Sequence, residues 1–394
     1  MSERGDAAYP APLRSERRQL EPFGWYREMR ESAPVRYDSE RDIWGVFRYE
    51  TVDGILRDHE TYSSDREPDV DAPPSMLSSD PPTHTRLREP VEGRFAPGEV
   101  ERLAPEIRRM ATELVEEAVA GGEMDVVDDL ARWLPTMTIA ALLGVPPEER
   151  ERFKEWSDTI VAGPQLTGGD REALQERQEA AGREMRDYFM EVMARRAEEP
   201  RDDLISDVLL EYDGGDLTEG EIRGIFELLL VAGNVTTTNL ITNAVWCLAA
   251  NDCVGTVRGD EDALERAVEE TLRYRSPVQW TSRIPTEPVE VEGHEIAAGT
   301  PVRTYIGSAN RDPAVFDRPD EFRPDRDPNP HMAFGRGIHF CLGAALARLE
   351  ARIALSELFD RVEDVRLATT DLEPVAGTFL YGVRELPVRF ERRG

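Results

Sequence analysis

Lysine is almost missing from this chain. Its 394 residues hold 48 lysines and arginines, and Lys154 is the one lysine, leaving 47 arginines. Against 79 aspartates and glutamates the formal charge is −31. That shortage of positive charge argues against a nucleic-acid grip and against anionic membrane surfaces. Cysteine is scarce too: Cys247, Cys253 and Cys341 are the three. They form no C-x-x-C pair, and no His/Cys cluster offers four ligands, so a structural zinc site is not expected. An odd, sparse cysteine count points to a reducing cytoplasm rather than a disulfide framework. No apolar leader stands at the N-terminus, so no signal peptide is expected. The most apolar long run, Ile225 to Ala250, is broken by Glu227, Asn234, Asn239 and Asn243. It reads as the central helix of a soluble protein and poorly as a membrane span. Excess acid with almost no lysine reads as adaptation to high salt, where about 1 M electrolyte shortens the screening length to about 3 Å.

What the chain does have is one cysteine set among glycines. Cys341 follows Gly335 and Gly337 and precedes Gly343, and an apolar helical run from Leu342 to Phe359 begins at once. Glycine lets a backbone turn tightly and approach a flat object that a Cβ would strike. A thiolate at a helix start is favoured by the helix dipole. Held against a planar group, it suits axial ligation of haem iron.

The rest of the chain reads as mostly helical with small sheets. Pro34–Tyr37 and Ile43–Phe47 predict two strands around the polar turn 38–42. Helices are predicted over Thr51–His59, Glu101–Ala120, Asp125–Leu143, Glu149–Ala162 and Arg171–Arg196. Thr218-x-x-Glu221 is a capping box that opens a helix running to about Ala250, roughly 50 Å long at 1.5 Å per residue. Within it, Ala232-Gly-Asn-Val-Thr236-Thr237 predicts a loosened turn, where a threonine bonds back to a carbonyl and opens a bulge. Glu270 and Arg273 share a face of the helix Glu261–Tyr274 and can pair. His84 and Arg88 share a face after Pro81-Pro82 and could clamp a carboxylate. Strands are predicted at Val289–Val291, Gly293–Ile296 and Thr300–Val302, and Thr378–Gly382 with Leu386–Val388 reads as a hairpin. Residues 64–82 read only as loop. No repeat or linker is visible, which predicts one domain over residues 1–394.

Phe334-Gly-x-Gly-x-His339-x-Cys341-x-Gly343, Glu270-x-x-Arg273 and the glycine–threonine string ending at Thr236 resemble the cytochrome P450 family. The resemblance covers nearly the whole chain and is strongest from Glu270 to Leu349. It implies a soluble, prokaryotic-type P450 fold binding haem b (iron protoporphyrin IX), with Cys341 as iron ligand. By the same resemblance His84, Arg88, Arg283 and His339 contact the haem propionates, Arg326 completes a buried triad with Glu270 and Arg273, and Thr236 serves oxygen activation. The family's lid corresponds to Gly163–Gly169, its substrate loop to residues 64–82, and the tip of the last hairpin reaches the substrate pocket.

One position departs from the pattern. Val235 stands where the family usually carries an acid, which leaves a backbone carbonyl, a water chain or Glu227 as proton routes. The expected function is a monooxygenase that places one atom of dioxygen into a small apolar organic substrate. No flavin or iron–sulfur module is recognisable, so electrons are expected from a ferredoxin and its reductase. That donor would dock through Arg336, Arg348 and Arg352, with Arg86 and Arg94 bordering the same surface. The alternatives are a peroxide-driven peroxygenase, which the loss of the acid favours, and a haem protein that binds small ligands without turnover.

Overall fold

The computed structural model describes residues 10–65, 74–149, 171–213 and 217–393, with a few more between 152 and 159. The chain opens with helix α1 (Phe23–Ser32), a strand pair β1 (Val35–Asp38) and β2 (Ile43–Val46), helix α2 (Tyr49–Arg57) and the short strand β3 (Tyr62–Ser63). Helices α3 (Thr83–Glu92) and α4 (Ala104–Ala118), strand β4 (Glu123–Asp125) and helix α5 (Trp133–Leu142) follow. Next come α6 (Arg171–Glu198), α7 (Leu204–Asp213), the long α8 (Glu219–Ala250) and α9 (Glu261–Tyr274). Strands β5 (Thr281–Pro285), β6 (Val289–Val291), β7 (His294–Ile296) and β8 (Val302–Thr304) lead to helix α10 (Ala344–Arg361) and strands β9 (Val362–Leu367) and β10 (Pro387–Arg392).

Helix α8 is the axis of the core, packed against α5, α9 and α10. The capping box at its start is complete: the Thr218 side chain accepts from the Glu221 N–H, and the Glu221 carboxylate accepts from the Thr218 N–H. Among the described residues, Gly220–Ala250 is the one stretch long and apolar enough to cross a membrane, yet it is a core element here. The expected bulge is not formed. Thr236 Oγ does donate to the Ala232 carbonyl at 2.7 Å, but the helix runs unbroken past it. A threonine can make that bond in an intact α-helix, so the back-bond alone does not open a turn.

The sheets are small. One has five strands in the order β1-β2-β8-β5-β3, one has three in the order β4-β10-β9, and β6-β7 stand alone. The β6–β7 turn uses Glu292 and Gly293, both at positive φ (47° and 82°), as a two-residue hairpin requires. Three predicted boundaries change. Val302 joins the five-stranded sheet rather than the hairpin patch. Pro387 and Val388 of the predicted Leu386–Val388 strand open β10, which pairs with β4 and β9, while Leu380 bridges Val278. The predicted helix 125–143 is a strand end, a π-helical turn over Val127–Ala131, and then α5. Most of Glu149–Ala162, the Gly163–Gly169 lid and part of the 64–82 loop lie outside the described residues.

Candidate active site

The segment before α10 folds into a tight loop closed on itself. Cys341 N–H donates to the Phe334 carbonyl at 2.9 Å, and Gly335 N–H to the Met332 carbonyl at 2.9 Å. The two glycines serve different ends. Gly335, at φ +72°, supplies a left-handed turn. Gly337, at φ +68°, sits where a Cβ would come within 2.6 Å of the Leu56 carbonyl oxygen. The close approach expected at Gly337 is therefore to the backbone of α2. Cys341 is at once crowded and accessible: Met332, Ala333 and Ala344 around it are buried, while Cys341 and Phe340 are exposed. Although the residue itself is accessible, desolvation by the atoms crowded around it pushes the Cys341 thiol above its ordinary 9.0. A bond from the Gly343 N–H and the Arg88 and Arg348 guanidiniums oppose that shift without overcoming it. Desolvation thus outweighs the help expected from the helix start.

Beside the loop, α3 brings its first turn against His339. The rings of His84 and His339 meet edge to face with centroids 4.5 Å apart. Both Nε2 atoms are buried, and among the described residues neither has a hydrogen-bond partner. Burial lowers the His339 pKa to about 3, helped by the Arg283 guanidinium, His84 and Arg88, against the pull of Asp80. His84 is likewise lowered by burial and by Arg88. Asp80 is 4.0 Å from His339 Nε2, too far for a hydrogen bond, and is held by Ser63 and the Ser64 N–H. Two orphaned ring nitrogens and two guanidiniums thus converge in a protein with a large acid excess. A ligand with two carboxylates would satisfy those nitrogens and supply the missing negative charge. This donor set fits haem b, which carries two propionates. Sequence reasoning brought His84, Arg88, Arg283 and His339 forward, and the structure places them in one electrostatic neighbourhood.

On α8, Ala232 is exposed and Gly233, Val235 and Thr236 are half-buried, although Leu230 and Asn234 on the same helix are buried. Asn234, read from the sequence only as a polar break in the apolar run, is buried here. Its Oδ1 lies 3.4 Å from Thr238 Oγ, which donates to the Ala131 carbonyl at the end of the π-helical turn.

Glu270, Arg273 and Arg326 form a buried triad at 2.7 and 2.9 Å. Arg273 also donates to the carbonyls of Asn310, Pro319 and Glu321, and Glu270 accepts from the Arg323 N–H. Asn310 extends this lattice into the cysteine loop: its Nδ2 donates to Ser276, and its Oδ1 accepts from the Met332 N–H at 2.8 Å.

The basic patch expected for a redox partner is largely neutralised. Arg348 makes a two-pronged pair with Glu269 at 2.6 and 2.9 Å, and its guanidinium lies 4.5 Å over the Phe334 ring. Arg352 pairs with Glu101 and Glu261, Arg336 with Asp53, Arg86 with Glu221, and Arg94 with Asp202 and Asp207.

A mostly helical fold that seats one glycine-flanked cysteine beside a carboxylate-seeking cradle defines a haem-thiolate class of protein. The chain belongs to the cytochrome P450 family and is a cytochrome P450 monooxygenase. The family profile, "Cytochrome P450", matches residues 262–376. Cytochrome P450 109 of Bacillus spizizenii is 43% identical, over 96% of this chain and 94% of that protein. The monooxygenase PikC of Streptomyces venezuelae is 36% identical, over 94% and 92%. The crystal structure of substrate-free CYP109E1 from Bacillus megaterium superposes with a TM-score of 0.90 at 42% identity, covering 95% of this chain and all of that one. Family members bind haem b through a cysteine thiolate.

Proposed function

We propose that Cys341 is the thiolate ligand of haem b and that His84, Arg88, Arg283 and His339 hold its propionates. The observation that carries this reading is the pair of buried, unpartnered histidine nitrogens beside the cysteine loop. When bound, haem supplies the oxygen chemistry, and the protein supplies position, dielectric and protons. Thr236 is the hydroxyl that would hold and pass a proton at its Oγ, on the accessible side of α8. The Glu270–Arg273–Arg326 lattice holds the loop and takes no part in the chemistry.

The substrate is a small apolar organic molecule, up to the size of a steroid. CYP109E1 has been crystallised in complex with corticosterone and with testosterone. Electrons come from a separate ferredoxin and its reductase. The three cysteines of the chain are too few for a four-cysteine cluster alongside the haem ligand. With the arginines around the loop already paired, docking depends on exchanging those carboxylates for the donor's own. The chain works as one domain in a cytoplasm, and its acid excess suits high salt.

Val235 favours a second reading, in which peroxide drives turnover and brings its own protons. The two readings separate in one assay. Steroids are offered to the haem-loaded protein with a ferredoxin, its reductase and dioxygen, or with peroxide alone. Oxygenated product only in the first arm supports the monooxygenase route. Equal or faster product with peroxide alone supports the second.

A further inference from the structure

A second cluster of donors lies on the five-stranded sheet, apart from the cysteine loop. On β8 and β5, Val302 pairs with Arg283 and Arg303 with Ser282. Side chains alternate across a sheet, so Arg303 projects from the face opposite to Arg283. On that face Arg36 of β1 and Arg303 of β8 both lie opposite Gly45 of β2, one from each side. Gly45 has no side chain, so the rings of Phe47 and Tyr305 pack over it between the two arginine positions. Its neighbours leave little room for one: a Cβ there would meet Phe47 at 3.0 Å and Tyr305 at 3.1 Å.

These residues line a cavity of about 170 Å³ that also reaches Trp25, Arg41 and Trp44. Its inner wall is aromatic. Phe47 stacks on Tyr305 at 4.4 Å, and Trp25 meets both edge-on at 5.3 and 5.5 Å. Its mouth is wet, with Tyr37 and Glu40 exposed at the rim. The buried Nε1 of Trp25, Nη1 of Arg41, and Nε and Nη1 of Arg303 have no hydrogen-bond partner among the described residues. All four are donors. The acids nearby are already engaged, Asp38 by Arg41 and Glu40 by Arg14. Arg36 and Arg303 have no carboxylate partner among the described residues, in a chain with 79 acids. Arg303 instead lies 3.6 Å over the Trp280 ring.

We propose that this cavity is a binding site for a small aromatic carboxylate, with its head group on Arg303, Arg41 and Trp25 and its ring against Phe47 and Tyr305. Buried unpartnered N–H groups are costly, and an anion that accepts from several of them restores the balance. A guanidinium N–H gives a carboxylate oxygen a charge-assisted hydrogen bond, about twice as strong as a neutral one. The aromatic wall would be wasted on an inorganic anion. The volume is below the roughly 300 Å³ of pockets for drug-sized ligands, which sets the ligand at single-ring size.

Isothermal titration of the haem-loaded protein with benzoate tests this, with benzamide and inorganic phosphate as comparison arms at one ionic strength. Saturable one-site binding of benzoate is expected, with little or none for the other two. Arg303→Met should weaken benzoate by about tenfold to a hundredfold, the loss of a charged hydrogen-bond partner, while the haem absorption spectrum stays unchanged. Trp25→Phe keeps the ring packing, removes one donor, and should give a smaller loss; it carries the test if Arg303→Met does not fold. Benzamide or phosphate binding as well as benzoate, or benzoate binding that neither variant weakens, would overturn the proposal. So would binding that moves the Soret band and survives both substitutions, because the anion would then be at the iron.

Discussion

Thr236 Oγ donates to the Ala232 carbonyl, 2.7 Å away, and must release that bond to pass a proton to anything else. Thr236→Ala should therefore leave haem binding intact and lower the product formed per dioxygen consumed, with released peroxide making up the difference. Val235→Glu, which restores a carboxylate one residue earlier, should leave that ratio equal or higher. Full coupling in Thr236→Ala with a ferredoxin system would reduce the threonine to a packing residue. The propionate cradle makes a separate claim at the same scale. His339→Ala and Arg283→Ala should each speed the loss of haem to apomyoglobin, and unchanged transfer rates in both would contradict the assignment. The motif positions were legible because haem-site side chains are spaced along short segments. The Thr238 bond to the Ala131 carbonyl was not legible, because it joins positions more than a hundred residues apart.

Helix α9 carries two adjacent acids with different partners. Glu270 is fully buried and holds Arg273 and Arg326. Removing one member of a buried pair strands the other, a loss of about 3–5 kcal/mol. Arg273→Ala should lose roughly that much in a denaturant melt, and a loss under about 1 kcal/mol would show the lattice to be dispensable. Glu269 is different because it stays partly accessible and reaches Arg348 and His331. Burial alone would raise its pKa, but the bonds from Arg348 and His331 hold it at about 2 against an ordinary 4.5. The unfolded chain then takes up the proton first as pH falls. The stabilisation is whole above about 4.5 and is lost between there and about 2. Glu269→Gln should flatten the stability–pH curve over that window, as followed by circular dichroism, and leave it unchanged near neutrality in slope. A slope equal to that of the parent protein would contradict the assignment. Local signals served well at this scale: the capping box, the β1–β2 pair and the Glu270–Arg273 spacing all appear as read. The π-helical turn and the partners of Leu386–Val388 depend on packing from distant segments. The same is true of the arginines near the loop, whose carboxylates at Glu269, Asp53 and Glu221 come from elsewhere in the chain.

At the scale of the whole molecule, a charge of −31 spread over 394 residues repels itself unless salt screens it. Thermal melts of the haem-loaded protein should rise from low to molar salt, and a flat profile would remove the case for salt adaptation. The long helix, the buried triad and the cysteine loop together position one sulfur near the His84–His339 cradle. The most direct measurement is the absorption spectrum of the reduced, carbon-monoxide-bound protein, taken for the parent chain and for Cys341→Ser side by side. The parent should show the red-shifted Soret band of a thiolate-ligated haem, and the variant should lose it. A thiolate band that persists unchanged in Cys341→Ser would contradict the assignment of this site.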